Sequence, residues 1–325
     1  MEIQQKAEIE EIRKQRMIDN LLKDDMKEIV PYLDDDDVTD ISIPDSGQLI
    51  VTKFNEGVIF TGIQIPPYIT ERIIKATSSL IGKALDSFTG FPELEGVIPK
   101  YNARITGMLP PIVMNPVISI RKPCKRIFTL EDYAEKGYMT YEQYKMVVEY
   151  IKDRKNIVVS GATGSGKTTF TNAVIRKMQE FTPKGNFYII EDNPELQCTA
   201  DWAHSLWIKQ DDAEKAIKTA LRFFPTRIIF GEVRDGKVML ELLKSWLTHR
   251  GNVTTIHAND GKSTLVRIKS MLGSNAKDIS EHLSEVIHLI VHLKRVDESI
   301  KVDELYLVSE DTDSFLAGMA DNNYA

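Results

Sequence analysis

Residues 156–170, NIVVSGATGSGKTTF, constrain the fold of this chain more than any other stretch. An apolar run predicts a buried strand, and the spacing G-x-x-x-x-G-K-[ST] follows it before a helical pattern begins. Glycines at these positions let successive backbone N–H groups curl round a phosphate, and the helix N-terminus adds partial positive charge. The stretch therefore predicts a phosphate-binding loop between a strand and a helix.

The side chains of this loop have separate expected tasks. Lys167 would reach the β- and γ-phosphates of a nucleotide, and the Thr168 hydroxyl would bind Mg²⁺. The predicted nucleotide contacts in the loop are Gly161, Thr163, Gly164, Ser165, Gly166, Lys167, Thr168 and Thr169. ATP and Mg²⁺ are the ligands that this motif implies.

Acidic residues end a second apolar run, in NFYIIEDNPEL. Glu191 and Asp192 come directly after the apolar residues, and Glu195 follows shortly. In a parallel sheet the carboxyl ends of the strands face the ligand crevice, so these carboxylates are candidates for the site. The alternative is that they only cap a loop.

A third apolar run, RIIFGEVRDG, leads to Glu232 and Arg234. The residue that ends such a strand is usually an Asp that holds the metal, but here the run passes through a glycine to a glutamate. We expect Glu232 to polarise the attacking water. The alternative is a surface carboxylate paired with Arg234.

Three arginines, Arg222, Arg227 and Arg234, occur around this same run. An arginine that reaches a γ-phosphate is worth about 10³ to 10⁵ in rate, so one of them could act across a subunit contact. Spacing alone does not choose among them, and ordinary ion pairs are the alternative.

A histidine, His257, ends a fourth strand pattern, GNVTTIHAN. Its neutral ring could donate an N–H to the γ-phosphate and could gain charge when that phosphate is present. A structural histidine is the alternative.

The patterns along the chain predict two parts. Before the phosphate loop, short strand patterns and an amphipathic helix predict a smaller α+β region. After it, strands and helices alternate, which predicts an α/β domain with a mainly parallel sheet. The expected divisions are a charged helix at 1–30, the α+β domain at 31–125, a linker at 126–140 and the phosphate-loop domain at 141–325.

Charge and composition exclude several classes of protein. The net charge of -7 argues against duplex DNA binding as the main function, because such surfaces carry excess Lys and Arg. The two cysteines, Cys124 and Cys198, lack the paired spacing of a metal site. No apolar run approaches the roughly 20 residues of a membrane-spanning helix, so we expect any membrane association to come through partners.

Four motifs in this order resemble those of the secretion traffic ATPases of type II and type IV systems, most closely the conjugal-transfer and type IV branch. They are GATGSGKTT, IIEDNPEL, RIIFGEVR and TTIHAN, within a resemblance that runs from about residue 38 to about residue 295. LPPIV, ISIRKP and FTLEDY, which precede the phosphate loop, look like the same branch.

The resemblance implies a role for each matching residue. The expected catalytic residues are Lys167, Glu191, Glu232 and His257, with Thr168 and Glu191 at the metal. Arg104 and Arg121 match arginines that the family brings towards the phosphates. The later part of the chain would be RecA-like, and the first part would close on its nucleotide.

The function implied by the resemblance is Mg²⁺-dependent ATP hydrolysis by a hexameric motor. It would lie in the cytoplasm at the inner face of the inner membrane and work with secretion or conjugation channel proteins in pilus assembly or substrate transfer. Three alternatives remain: a type II secretion or pilus motor, a hexameric nucleic-acid translocase on the same core, and a nucleotide-dependent scaffold without turnover.

Overall fold

The computed structural model describes residues 12–53, 56–83, 85, 90–123, 128–273, 279, 282–296 and 299–309. The chain divides into two compact units, Met1–Arg126 and Ile127–Ala325. Each unit is built on its own sheet. Cys124 lies outside the described residues, and Cys198 is a free thiol.

The described residues of the first unit form three helices and six strands. The elements are α1 at 12–20, which continues as a π-helical turn at Leu21–Asp25, α2 at Val30–Asp34, β1 at Val38–Ile43, β2 at Gln48–Lys53, β3 at Gly57–Gln64, α3 at Pro67–Leu80, β4 at Glu93–Ile98, β5 at Ala103–Met108 and β6 at Val117–Arg121. The strand order is β3-β2-β1-β6-β5-β4, and all neighbours are antiparallel. This arrangement is α+β, as the patterns predict.

The predicted amino-terminal helix at 1–30 falls partly on described residues, where α-helix covers 12–20. Residues 1–11 lie outside the described residues, and regular helix ends at the π-helical turn. Ile18, Leu22 and Met26 are buried in the core of the first unit, together with Ile29. The helix is therefore amphipathic, because one apolar stripe packs on the core while its charges stay in solvent.

The described residues of the second unit contain seven helices and seven strands. They are α4 at Leu130–Glu135, α5 at Tyr141–Lys152, β7 at Ile157–Gly161, α6 at Lys167–Phe181, β8 at Phe187–Glu191, β9 at Ala203–Trp207, α7 at Ala213–Ala220, β10 at Arg227–Glu232, α8 at Gly236–Thr248, β11 at Val253–Ile256, α9 at Gly261–Leu272, α10 at Leu283–Val286, β12 at Leu289–Val296 and β13 at Ser299–Leu307. Short 3₁₀ turns lie at Gln210–Asp212 and Leu221–Phe223.

The second sheet is mainly parallel, which confirms the predicted α/β class. Its strand order is β13-β12-β7-β11-β10-β8-β9, and only the β12–β13 pair is antiparallel. Strands β7 and β8 are buried along their whole length, as strands covered by helices on both faces must be. The sequence patterns do not predict β9 or β13, which are the two edge strands.

Helix α4 lies inside the stretch 126–140 that the sequence predicts to be a linker. Thr129 and Asp132 form a capping box at its start, with reciprocal hydrogen bonds of 3.0 and 2.8 Å. The Tyr133 ring packs edge-on against Phe170 of α6, with centroids 5.1 Å apart. These residues are therefore a packed part of the second unit.

Candidate functional site

The loop between β7 and α6 has the backbone of a phosphate cradle. Gly164 and Gly166 adopt left-handed conformations, with φ of 73° and 78°, and Gly161 has φ of 153°. A Cβ on Gly161 would lie 2.5 Å from the carbonyl oxygen of Leu293. Glycine is therefore required at the first position both by backbone conformation and by space.

Polar groups inside this loop fit an anion. Lys167 is almost buried, and its Nζ donates to the carbonyl oxygens of Gly161 at 3.1 Å and Ala162 at 2.8 Å. The Ser165 hydroxyl is buried without a hydrogen-bond partner among the described residues. Phosphate oxygens are acceptors that could satisfy both groups, so the residues present fit a nucleotide.

The remaining loop positions also lie where the motif puts them. Thr163 and Gly164 are exposed at the tip, and Thr168 and Thr169 lie half-buried in the first turn of α6. Their contacts with nucleotide and metal stay predictions. Within the described residues there is no cluster of three or more His, Cys, Asp or Glu that could hold a metal by itself. A Mg²⁺ site here would need nucleotide oxygens in addition to protein ligands.

Glu191 ends β8 in a buried position, 5% exposed. One of its carboxylate oxygens, Oε2, accepts the backbone N–H groups of Glu195 and Leu196, both at 2.9 Å. Burial raises the pKa of Glu191 to about 7, against these two hydrogen bonds, which lower it. Glu191 Oε2 therefore holds the loop after β8. If Glu191 binds the metal as predicted, Oε1 is the oxygen that would contact the ion.

The raised pKa of Glu191 predicts a pH-dependent stability. The folded chain holds this proton from pH 4.5 to about 7, where the unfolded chain has lost it, so the stabilisation falls as pH rises through that window. Relative to Glu191→Gln, the wild type should lose roughly 1–3 kcal/mol of unfolding free energy across it. Urea titrations of both proteins at a series of pH values measure this difference, and a difference that is constant with pH would contradict it.

Glu232 ends β10 and is held on both sides. Its Oε2 accepts from Arg234 Nε at 2.7 Å, and its Oε1 contacts His257 Nε2. Arg234 also donates through Nη1 to Asp192 Oδ2 at 2.7 Å. The pairing of Glu232 with Arg234 is therefore present, and the contact with His257, which lies 3.2 Å from Lys167, places the carboxylate near the phosphate loop.

His257 joins this ion pair to the loop lysine. Its Nδ1 lies 3.2 Å from Lys167 Nζ, and its Nε2 contacts Glu232. Burial and the charge of Lys167 lower the pKa of His257, against the opposing effect of Glu232. In a neutral ring Nδ1 can accept from the ammonium. Nε2 lies close to Glu232 Oε1, but that oxygen has no hydrogen-bond partner among the described residues.

Parallel strands bring these distant residues together. Strands β8, β10, β11 and β7 lie side by side, and their carboxyl ends share one edge. Glu191, Glu232 and His257 follow three of those ends, and the phosphate loop follows the fourth. The result is a continuous row of side chains, Lys167, His257, Glu232, Arg234 and Asp192, at the predicted crevice.

The assignment of Arg227 to the nucleotide is wrong for the site of its own chain. Arg227 begins β10 and Glu232 ends it, so Arg227 lies at the amino-terminal ends of the parallel strands, away from the predicted crevice. Its guanidinium is buried and donates to the Gly251 carbonyl at 2.7 Å and the Thr182 hydroxyl at 2.9 Å. Arg222 precedes β10 at that same edge and is exposed, so its action on a neighbouring subunit stays a prediction.

Arg227 should be needed for stability and not for nucleotide binding. In Arg227→Met the buried carbonyl of Gly251 loses its donor, and we expect roughly 2–4 kcal/mol less unfolding free energy. Denaturant titration measures the loss, and nucleotide titration at a temperature where the variant is folded measures binding. A large change in nucleotide affinity with unchanged stability would refute this assignment.

Arg104 and Arg121 lie side by side on the sheet of the first unit. They are directly opposite each other on β5 and β6, and Asp40 of β1 is the partner of Arg121 on its other side. Like charges in directly opposite positions repel, so this pair favours a bound anion. That placement is compatible with their predicted attraction to phosphates, which stays a prediction.

One residue beside the site was not predicted from the sequence. Asn172, one turn after Thr168 on α6, donates to the Glu195 carbonyl at 3.0 Å and accepts from the Gln197 N–H at 2.8 Å. It ties the helix of the phosphate loop to the loop after β8. Asp192, one of the carboxylates predicted at the end of β8, is the second partner of Arg234. Asn172 is a polar residue among apolar residues of α6, and this pattern could have predicted a buried hydrogen-bonding role.

Comparison with known proteins agrees with these motifs. The model of the family described as "Type II/IV secretion system protein" matches residues 94–314, about two thirds of the chain. The conjugal transfer protein TrbB of Rhizobium radiobacter is 37% identical over 84% of each chain. The type IV secretion system protein VirB11 of Bartonella quintana is 30% identical, covering 66% of this chain and 73% of that one.

A solved structure shares the fold. The ATPase DotB of Yersinia pseudotuberculosis superimposes with a TM-score of 0.68 at 18% identity, covering 92% of this chain and 82% of that one. At this identity the likeness concerns the fold alone, and it agrees with the expected RecA-like architecture. From the family match and the relative TrbB, the chain belongs to the type II/IV secretion system protein family, and it is an ATPase of that family.

Proposed function

We propose that this chain hydrolyses ATP with Mg²⁺ at the carboxyl edge of its second sheet, as the motor of a conjugative or type IV secretion system. One observation carries the chemistry: a continuous set of contacts links Lys167 through His257 to Glu232. The Lys167 ammonium, which would bind phosphate, and the Glu232 carboxylate, which would activate water, lie on either side of one imidazole, and this arrangement supports the proposal.

Each residue of the site has a task in this proposal. The loop N–H groups, Ser165 and Lys167 bind the phosphates of ATP, and Thr168 and Glu191 hold the metal. The ion, when bound, would neutralise charge on the phosphate oxygens. Glu232 accepts the proton of the attacking water. Arg234 pairs with Oε2, so Oε1 keeps lone pairs that can take that proton.

His257 is suited to report on the γ-phosphate. A phosphate bound by Lys167 would compete for the ammonium that His257 Nδ1 now accepts from. The imidazole would then be free to take a proton or to turn, which changes its contact with Glu232. The presence of the terminal phosphate would thus alter the hydrogen bonding of the catalytic carboxylate.

The finer parts of the proposal concern assembly. The chain forms a hexamer at the cytoplasmic face of the inner membrane and acts on secretion or conjugation channel proteins. Arg222 is exposed and therefore available to a neighbouring copy. No helix in the described ranges is long and apolar enough to cross a membrane. The relatives named for conjugal transfer and type IV secretion favour this branch over a type II motor.

Two measurements on the purified chain test the proposal. Steady-state phosphate release with ATP and Mg²⁺ should show turnover, and its absence would favour the nucleotide-dependent scaffold. Light scattering should give the mass of a hexamer when ATP is present. The mass of a monomer both with and without ATP would contradict the proposal of a hexameric motor. Strong stimulation by single-stranded DNA would favour the translocase, which the net charge of -7 disfavours.

A further inference from the structure

The antiparallel hairpin β12–β13 supports the phosphate loop from one side. The carbonyl oxygen of Leu293 lies so close to Gly161 that a Cβ there would be 2.5 Å away. A Cβ on Gly166 would lie 2.7 Å from Cδ1 of Ile300. The two glycines that define the motif are thus packed against this hairpin, Gly161 against β12 and Gly166 against β13.

A buried histidine of the hairpin contacts the strand that enters the loop. His292 of β12 is directly opposite Ser160 of β7, and His292 Nδ1 lies 3.0 Å from the Ser160 hydroxyl. Ser160 immediately precedes Gly161, whose carbonyl accepts from Lys167. A shift of Ser160 would therefore move the start of the phosphate loop.

His292 also lies next to a residue of β13 that contacts the segment after His257. On its other side His292 is directly opposite Glu304 of β13, and Glu304 Oε2 accepts the N–H of Gly261 at 2.8 Å. Gly261 begins α9, only four positions after His257. A Cβ on Gly261 would lie 2.3 Å from Cβ of Tyr306, the β13 residue two positions after Glu304, so this position needs a glycine. His292 therefore lies between a residue that precedes the phosphate loop and a residue that holds the turn of His257.

The charges around His292 are mainly acidic. Burial lowers the pKa of His292, while Asp303 and Glu304 of β13 and Asp260 at the start of α9 oppose this. Lys294 of β12 adds to the lowering. The other contact, from β7, is the uncharged Ser160. A neutral ring can accept the Ser160 hydroxyl hydrogen at Nδ1, which fixes the orientation of both side chains.

We propose that His292 is a positioning residue of the nucleotide site. Its hydrogen bond to Ser160 and its place beside Glu304 hold the phosphate loop in register with the turn that carries His257. Lys167 and His257 then lie 3.2 Å apart before nucleotide arrives, so binding does not have to order them. This inference rests on the proposed function, because it assumes that the loop binds ATP.

The test is a titration of the full chain with a fluorescent, slowly hydrolysed ATP analogue and Mg²⁺. His292→Ala should weaken binding by about tenfold, the scale of one lost buried hydrogen bond. His292→Asn keeps an acceptor near the Nδ1 position and should bind within about threefold of wild type. Wild-type affinity in His292→Ala, or an equal loss in His292→Asn, would overturn the proposal.

A second pair of variants asks whether the effect passes through Ser160. Ser160→Ala should weaken binding, and the double variant Ser160→Ala/His292→Ala should be no weaker than the worse single variant. Losses that multiply would show that the two side chains act independently and would overturn the proposal. Should His292→Ala be insoluble, Ser160→Ala and His292→Asn still decide it.

His288, which comes just before β12, provides the matched control. Its Nδ1 accepts from the Asn156 N–H at 3.1 Å, so it also contacts the chain next to β7, but at the opposite edge of the sheet. His288→Ala should lower the melting temperature and leave nucleotide affinity unchanged. Equal losses of affinity in both alanine variants would mean general loosening of β12 and would overturn the proposal. If the wild-type chain bound the ATP analogue but released no phosphate from ATP, the proposed ATPase would be refuted. The comparison of nucleotide affinity between His292→Ala and His288→Ala would still test the role of His292.

Discussion

Replacing Lys167 by alanine is expected to abolish nucleotide binding. In the structure the ammonium lies against the carbonyl oxygens of Gly161 and Ala162 and beside His257 Nδ1, so three acceptor groups surround the point where phosphate would bind. Without the ammonium these acceptors would repel the phosphate oxygens. We expect affinity for ATP to fall by at least about 10²-fold, as for other lost charge-assisted contacts to a buried anion. Calorimetric titration with ATP and Mg²⁺ measures it.

Lys177 offers a matched control on the same helix. Lys167 and Lys177 are both 8% exposed and both belong to α6, but Lys177 is paired with Glu131 at 2.6 Å and Glu180 at 2.5 Å. Lys177→Ala should cost stability and leave ATP affinity unchanged. If Lys167→Ala bound ATP as tightly as Lys177→Ala does, the loop would not be the nucleotide site.

Replacing Glu232 by glutamine is expected to stop turnover and to preserve binding. Glutamine has nearly the same shape and can still contact Arg234, but it cannot take a proton from water at neutral pH. We expect kcat to fall by at least about 10²-fold, the usual scale for loss of a general base. Phosphate release and ATP titration on the same preparation separate the two effects.

Glu241 serves as the control for this substitution. Its side chain is 15% exposed and that of Glu232 is 16%, and it pairs with Lys244 at 2.8 Å on α8. Glu241→Gln should keep both turnover and binding. Normal turnover in Glu232→Gln would exclude Glu232 as the base and would direct attention to Asp192, the other carboxylate held by Arg234.

Strand direction explains why some site residues were predictable and Arg227 was not assigned correctly. Glu191, Glu232 and His257 all follow apolar runs, so a parallel sheet must bring them to the edge where the phosphate loop begins. Arg227 precedes its run and therefore lies at the other edge, where it is buried. The position of Arg227 before its apolar run can be read from the sequence. Its closeness to Glu232 along the chain does not mean that the two side chains share a site, because a strand separates them.

Contacts between distant elements could not be predicted in the same way. The row from Lys167 to Asp192 depends on rotamers and on the spacing of β7, β11, β10 and β8. Asn172 and His292 have no motif around them, because their partners are backbone groups and a hydroxyl on other elements. The burial of one face of the amino-terminal helix was likewise not predicted, because it depends on packing against the core of the first unit.

The sequence by itself determined the phosphate loop, the parallel α/β class of the second unit and the three strand ends that carry its acids and histidine. Each of these follows from local patterns, because glycine conformation and strand periodicity act over a few residues. Only the tertiary structure decided that His257 stands between Lys167 and Glu232, and that Arg234 holds Glu232 while Arg227 supports the opposite edge. These pairings join residues up to 90 positions apart, and packing of the whole sheet selects them.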